Sequence, residues 1–144
     1  MTLPTSVRDA LVLVARVAFG AVFVAHGWQK LFTYGIDGTA ASFEQMGVPA
    51  AGAAAWFAAL VELLGGAALV LGAAVPVAGV LLILDMLGAF VLVHAGAGIF
   101  VDQGGYELVL ALAAGTLLFV ATGAGRLSVD HALAGRRARV GQTV

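Results

Sequence analysis

Residues 11–31, LVLVARVAFGAVFVAHGWQKL, decide how this chain is read. A helix rising ~1.5 Å per residue needs about 20 residues to cross ~30 Å of hydrocarbon. This run has that length and is apolar almost throughout, yet it holds Arg16, His26, Gln29 and Lys30. Three further runs repeat the pattern: 50–73 contains Glu62, 77–97 contains Asp85 and His94, and 106–121 carries Glu107 at its start. A charge at mid-bilayer costs at least ~2.5–3.5 kcal/mol, so such side chains turn toward a protein interior or a watery cavity. The expected fold class is all-α: an integral membrane four-helix bundle with its polar groups inside. Helices are expected near 10–31, 50–73, 76–97 and 106–123, giving one membrane domain over residues 1–125 and a basic tail over 126–144.

The composition agrees. Of 144 residues, 62% are hydrophobic and 10% charged, with a mean hydropathy of +1.06. A soluble domain is ~45–50% apolar and ~25% charged. No basic stripe supports nucleic-acid binding. The chain has no cysteine, which excludes disulfides, thiolate metal sites and thiol catalysis by its own residues. Redox chemistry would need a bound cofactor or a partner. The first run reads as a retained helix, because Arg16 interrupts it and no small-x-small cleavage site follows.

Positive charge orients the chain. Arg8 precedes the first run, and Arg126, Arg136, Arg137 and Arg139 follow the last; the two long loops hold Asp37, Glu44 and Asp102 but no Lys or Arg. The positive-inside rule then places both termini in the cytoplasm. Within the first loop, Asp37-Gly38-Thr39 reads as a turn and helix start, and Ala40–Met46 as a short interfacial helix stopped by Gly47 and Pro49. Pro76 suits the first turn of the third helix. Ser128 caps a short helix ending near Gly135. The small residues of the second run, Gly65 and Gly66 among them, permit close helix approach, within the monomer or across a homodimer.

Counting inward from the ends, Arg16, Glu62 and Asp85 form an expected inner charge network, in which Arg16 pairs with one acid. His26, Gln29, Lys30, His94 and Glu107 form a candidate outer ligand-binding set. At ~100° per residue Arg16, His26 and Lys30 share one stripe with Phe19 and Phe23. Asp85 and His94, nine residues apart, fall on opposite sides of an ideal helix. Each residue also has a structural reading: Arg16 and Lys30 snorkel to headgroups, His26 bonds a carbonyl, and Glu107 complements a helix dipole. The acids Glu62 and Asp85 are too short to snorkel. No His-x₃-His or paired Glu-x-x-His spacing occurs, so no metal is expected. Hydrogen-bonding residues beside Phe23, Trp28, Phe32, Phe90 and Phe100 suit a quinone, although Trp28 and Phe32 also fit an interfacial belt.

Four spaced segments carry a resemblance. They are Arg16…His26-Gly27-Trp28-Gln29-Lys30-Leu31-Phe32, Glu62-Leu63-Leu64-Gly65-Gly66…Leu71-Gly72, His94…Gly104-Gly105-Tyr106-Glu107, and Gly123-Ala124-Gly125-Arg126-Leu127-Ser128-Val129-Asp130. Together they resemble the DoxX family of small bacterial membrane proteins, over nearly the whole chain. The resemblance implies a four-helix membrane fold, similar to the membrane subunit of an archaeal thiosulfate:quinone oxidoreductase. It also implies a link to oxidative-stress defence, with superoxide dismutase or a sulfurtransferase as soluble partners. Arg16, Lys30, Glu62, His94 and Glu107 match the family's recurring polar positions.

Three functions follow as expectations. The first is a redox-linked membrane subunit that binds quinone or a small sulfur compound near the outer face. The second is a non-catalytic scaffold whose basic tail recruits soluble redox enzymes. The third is a small transporter or proton pathway through Asp85, Glu62 and Arg16.

Overall fold

A computed structural model describes residues 3–140. Helix α1 runs Thr5–Thr33, α2 Gly35–Gln45, α3 Ala51–Leu71, α4 Val75–His94, α5 Glu107–Thr122 and α6 Val129–Val140. There is no strand among the described residues. Helices α1, α3 and α4 are long and apolar enough to cross a membrane. The fourth, α5, is a shorter apolar helix of 16 residues, about 24 Å of rise, a few ångströms less than the hydrocarbon thickness. Their lipid-facing sides carry Val14, Leu64, Val77, Leu84, Val91 and Leu118, all exposed, as membrane helices require.

Local sequence explains the boundaries. Gly72 closes α3 in a left-handed conformation (φ +68°), a geometry that glycine adopts without the β-carbon penalty. Pro76 occupies the first turn of α4, where its missing N–H is not needed. Helix α2 starts earlier than the sequence suggests: it begins at Gly35 and includes Asp37, Gly38 and Thr39. The reason is Thr39, whose hydroxyl meets the carbonyl oxygens of Gly35 and Lys30, each at 3.0 Å. That single side chain ties α2 to the end of α1. Ser128 does cap α6, accepting the His131 N–H at 3.2 Å. The helix runs past Gly135, however, to Val140. Of the basic tail, residues 141–144 lie outside the described residues.

Packing begins with α1 against α3. A β-carbon added at Gly66 would lie 2.8 Å from the Gly20 carbonyl oxygen and 2.8 Å from the Val24 nitrogen. One added at Gly20 would lie 2.6 Å from the Gly66 oxygen, and one at Gly27 would strike the Leu63 backbone. The two backbones touch because neither has a side chain there, which is how helices associate where lipid removes the hydrophobic drive. These glycines therefore serve contacts within the chain. Helix α4 packs on the lower half of α3 and along α5. The ring closes where Phe19 meets Phe119 edge-on, centroids 5.6 Å apart. Phe23, Leu69, Val75 and Leu82 are fully buried at the centre.

The end of the bundle where α1 begins and α5 ends is clasped by the segment after α5. The Asp130 carboxylate accepts the N–H groups of Ala74 (2.7 Å) and Val75 (3.0 Å), while its own N–H donates to Gly72 O at 2.9 Å. A residue 55 positions away in sequence thus caps α4. Arg16 donates through Nη2 to Leu127 O at 2.8 Å. It is 1% exposed, so it does not snorkel.

Two stability predictions follow from these contacts. Gly66→Val should lower unfolding free energy in detergent by at least about 2 kcal/mol, within the cost of overpacked cores. Gly52→Ala, where an added β-carbon meets nothing within 4 Å, should change it by less than about 0.5 kcal/mol. Asp130→Ala should cost about 1–2 kcal/mol, the value of a helix cap. Equal stability of Gly66→Val and Gly52→Ala would contradict the α1–α3 contact.

Candidate functional site

Three of the long helices change winding at one place each. Gln29–Thr33 in α1, Val61–Gly65 in α3 and Phe90–His94 in α4 are π-helical turns. Such turns are rare and occur frequently at functional sites. Here they contain Gln29, Lys30, Glu62 and His94, four of the polar residues singled out in the sequence.

The glycine contact between α1 and α3 brings two of these turns together. Lys30 Nζ donates to Glu62 Oε2 at 2.5 Å, with the two side chains 18% and 5% exposed. Lys30 therefore bends back into the bundle rather than snorkelling to the headgroups, and neutralises the acid that could not snorkel. The assignment of these residues to two separate layers does not hold. Glu62 and Lys30 form one ion pair, and Arg16 is not part of it. Arg16 lies at the clasped end, bonded to Leu127 O. The expected Arg16–Glu62–Asp85 network is thus split, and its acids belong with Lys30.

A cavity of about 610 Å³ opens beside the pair. Its polar lining is His26, Gln29, Lys30, Glu62, Asp85 and His94, so four of the five residues of the candidate ligand set meet two of the inner network. Asp85 and His94 both reach it. A π turn rotates less per residue than an α turn, so Phe90–His94 narrows the half-turn phase difference expected for an ideal helix, and both side chains line the cavity. Asp85 is buried and its Oδ2 has no hydrogen-bond partner. His94 Nδ1 also lies 2.6 Å from Gly104 O, tying α4 to the loop that follows.

Glu107 is the exception. It is exposed, and its Oε1 accepts the Val101 N–H at 2.8 Å, closing the same loop instead of lining the cavity. The aromatic walls also differ from expectation. Trp28 and Phe32 stack on each other at 4.2 Å on the outside, and both are exposed. Phe90 packs edge-on against Tyr106, and Phe23 is core. The cavity's rings are Tyr34, Phe43 and Phe57, accompanied by Met46 and Val48. A sequence signal existed for part of this. Thr39, Phe43 and Met46 recur at helical spacing along α2, one stripe that faces the bundle.

Among the described residues, no group of three His, Asp or Glu side chains is placed to hold a metal ion. The cavity instead offers one cation against two carboxyls, a histidine, an amide and a largely apolar wall. That combination suits a neutral ring with hydrogen-bonding substituents better than a small anion.

A family model described as DoxX matches residues 11–95. An uncharacterized membrane protein of Mycobacterium tuberculosis is 33% identical over 140 residues, covering 90% of this chain and 85% of its own. CatD of Bacillus subtilis, which bears the provisional name of an oxidoreductase, is 31% identical over 82% of this chain and 83% of its own. The inner membrane protein YphA of Escherichia coli is 30% identical over 86% and 91%. No solved structure matches the chain.

Removing one partner of a buried ion pair leaves an uncompensated charge, at about 3–5 kcal/mol. Lys30→Met is expected to lose that much stability in detergent unfolding. Lys30→Met combined with Glu62→Leu should recover most of it, since an apolar replacement of both partners is close to neutral. A double variant as unstable as the single one would show that the pair is not the cause.

Proposed function

Because the chain belongs to the DoxX family of bacterial inner membrane proteins, we propose that it is a redox-linked membrane subunit whose cavity binds a quinone. The observation that carries this reading is the site's donor set. A quinone is a neutral ring with two carbonyl acceptors on opposite sides. Lys30 Nζ has donor capacity beyond its bond to Glu62. His26 and Gln29 add donors from α1, and Tyr34, Phe43 and Phe57 supply flat apolar walls. The volume lies within the ~300–1,000 Å³ usual for small-ligand sites. The provisional name of the Bacillus subtilis relative points the same way.

Bound quinone would supply the two-electron, two-proton chemistry that the chain's own residues lack. The protein's part is to hold and orient the ring. Lys30, kept in place by Glu62, would donate to one carbonyl, and the unpartnered carboxyl oxygen of Asp85 would accept a hydroxyl of the reduced form. A small anionic sulfur compound is disfavoured at this position, because the single cation is already neutralised and Asp85 is a second acid. The chain has no thiol to pass electrons, so a partner would supply them, and the end where α1 begins and α5 ends would face the cytoplasm.

The test is photolabelling of the full chain in lipid nanodiscs with an azido-benzoquinone bearing an isoprenoid tail. Labelling should saturate, fall with excess unlabelled tailed quinone, resist thiosulfate, and map to the turns around Lys30, Glu62 and Asp85. The Lys30→Met, Glu62→Leu double variant should lose it while staying folded. Non-saturable labelling spread over the lipid-facing residues would overturn the reading.

A further inference from the structure

Helices α3 and α4 do not pack along their whole length. They meet at Gly65, where Leu82 fills the space in front of the glycine, and in the half of α3 below it. The other half, Ala51–Leu60, packs on α1 and α2 and makes little contact with α4. Between the separated halves the cavity wall is also the outer surface of the protein. Phe57 is 46% exposed, Leu84 55% and Leu92 46%, and all three line the cavity. All three lie in the apolar spans of α3 and α4, so what they face there is acyl chain.

The slot between them is floored by residues of small size: Ala58 on α3, and Gly88 and Ala89 on α4. Gly88 differs from the packing glycines. A β-carbon added there meets nothing within 4 Å, whereas those at Gly20, Gly27 and Gly66 would collide with backbone. Gly88 has an ordinary helical conformation and touches no neighbour that requires its smallness. What its missing side chain leaves is open space at the mouth of the cavity. Asp85 lies one turn away on the same face, buried, with Oδ2 unpartnered.

We propose that the cavity is loaded sideways from the bilayer through the α3–α4 slot, and that Gly88 sets the width of that opening. The occupant is a lipid-soluble ring whose hydrogen-bonding headgroup reaches Asp85 and Lys30 while its apolar tail stays between Phe57, Leu84 and Leu92. The identity of the ring rests on the quinone reading; the sideways opening does not. A buried polar floor beneath an apolar slot selects an amphiphile dissolved in the membrane over a solute arriving from water. Helix α2 lies over the loop end, with Phe43 and Met46 against the cavity.

Two measurements on the full chain in nanodiscs test this. The absence of native cysteine allows a single nitroxide at Ala89→Cys. Its collisions with oxygen, which partitions into lipid, should exceed those with a water-soluble nickel chelate. Gly88→Trp should then cut the oxygen collisions, and should slow photolabelling by the tailed azido-benzoquinone about tenfold, as a narrowed approach slows association. Gly52→Trp, also at an open position, should change neither. Unfolding of Gly88→Trp in detergent should match wild type, because its side chain enters empty space. Dominant nickel collisions would overturn the sideways opening. So would protection from both reagents, the result of a second copy seated on the slot, and so would an unchanged rate in folded Gly88→Trp. If the nitroxide results hold and wild type takes up no probe, the opening stands and the quinone reading fails.

Discussion

The structure depends on the direct backbone contact between α1 and α3 at Gly20, Gly27 and Gly66. In lipid, no hydrophobic force pulls two apolar helices together, so contact is won by shape. Here the shape is the absence of side chains on both partners. Gly27 lies one turn before Lys30 and is pressed on Leu63, the neighbour of Glu62. The same contact that joins the helices therefore sets the 2.5 Å ion pair. A helix pair held further apart by ordinary side chains would leave both charges buried without partners, which is several times more costly than the pair itself.

The three π turns act on that frame. Each inserts slack into a helix that would otherwise present its polar residue at the wrong angle. In α1 the turn leaves the Lys30 carbonyl to be satisfied by the Thr39 hydroxyl, so the interfacial helix α2 is anchored by the irregularity itself. In α4 the turn rotates His94 toward Asp85, and both line the cavity. Irregular backbone at membrane depth is tolerated where it lines a cavity or is covered by protein. All three turns meet that condition. The opposite end of the molecule is built differently. Arg16, Asp130 and the Gly72 turn form a hydrogen-bonded clasp, and it holds the ends of the helices while the α3–α4 cleft widens toward α2.

The two ends of the bundle differ in what the sequence reveals of them. Depth along a helix groups Arg16 with the acids but carries no information on which neighbour each faces. Glu107 starts a helix near the outer layer, yet its carboxylate satisfies the Val101 N–H. Rings are plentiful on α1 and α4, but those lining the cavity are Tyr34, Phe43 and Phe57, just before α2, within α2 and in α3.

The amino-acid sequence by itself determined the membrane-spanning all-α architecture, the helix order and approximate ends, the interfacial helix and the cap at Ser128. These follow from run length, hydropathy and local turn chemistry, which act over a few neighbouring residues. It also marked Arg16, His26, Gln29, Lys30, Glu62, Asp85, His94 and Glu107 as candidates to face inward, because polar groups in lipid are costly, while leaving Arg16 and Lys30 the alternative of reaching the headgroups. Only the tertiary structure decided who pairs with whom. Lys30 meets Glu62 across 32 positions, Asp130 caps a helix 55 positions away, and Arg16 joins a carbonyl 111 positions away. Such partnerships depend on rotations of whole helices set by glycine contacts and π turns, and those rotations are properties of the packed bundle that no local pattern encodes.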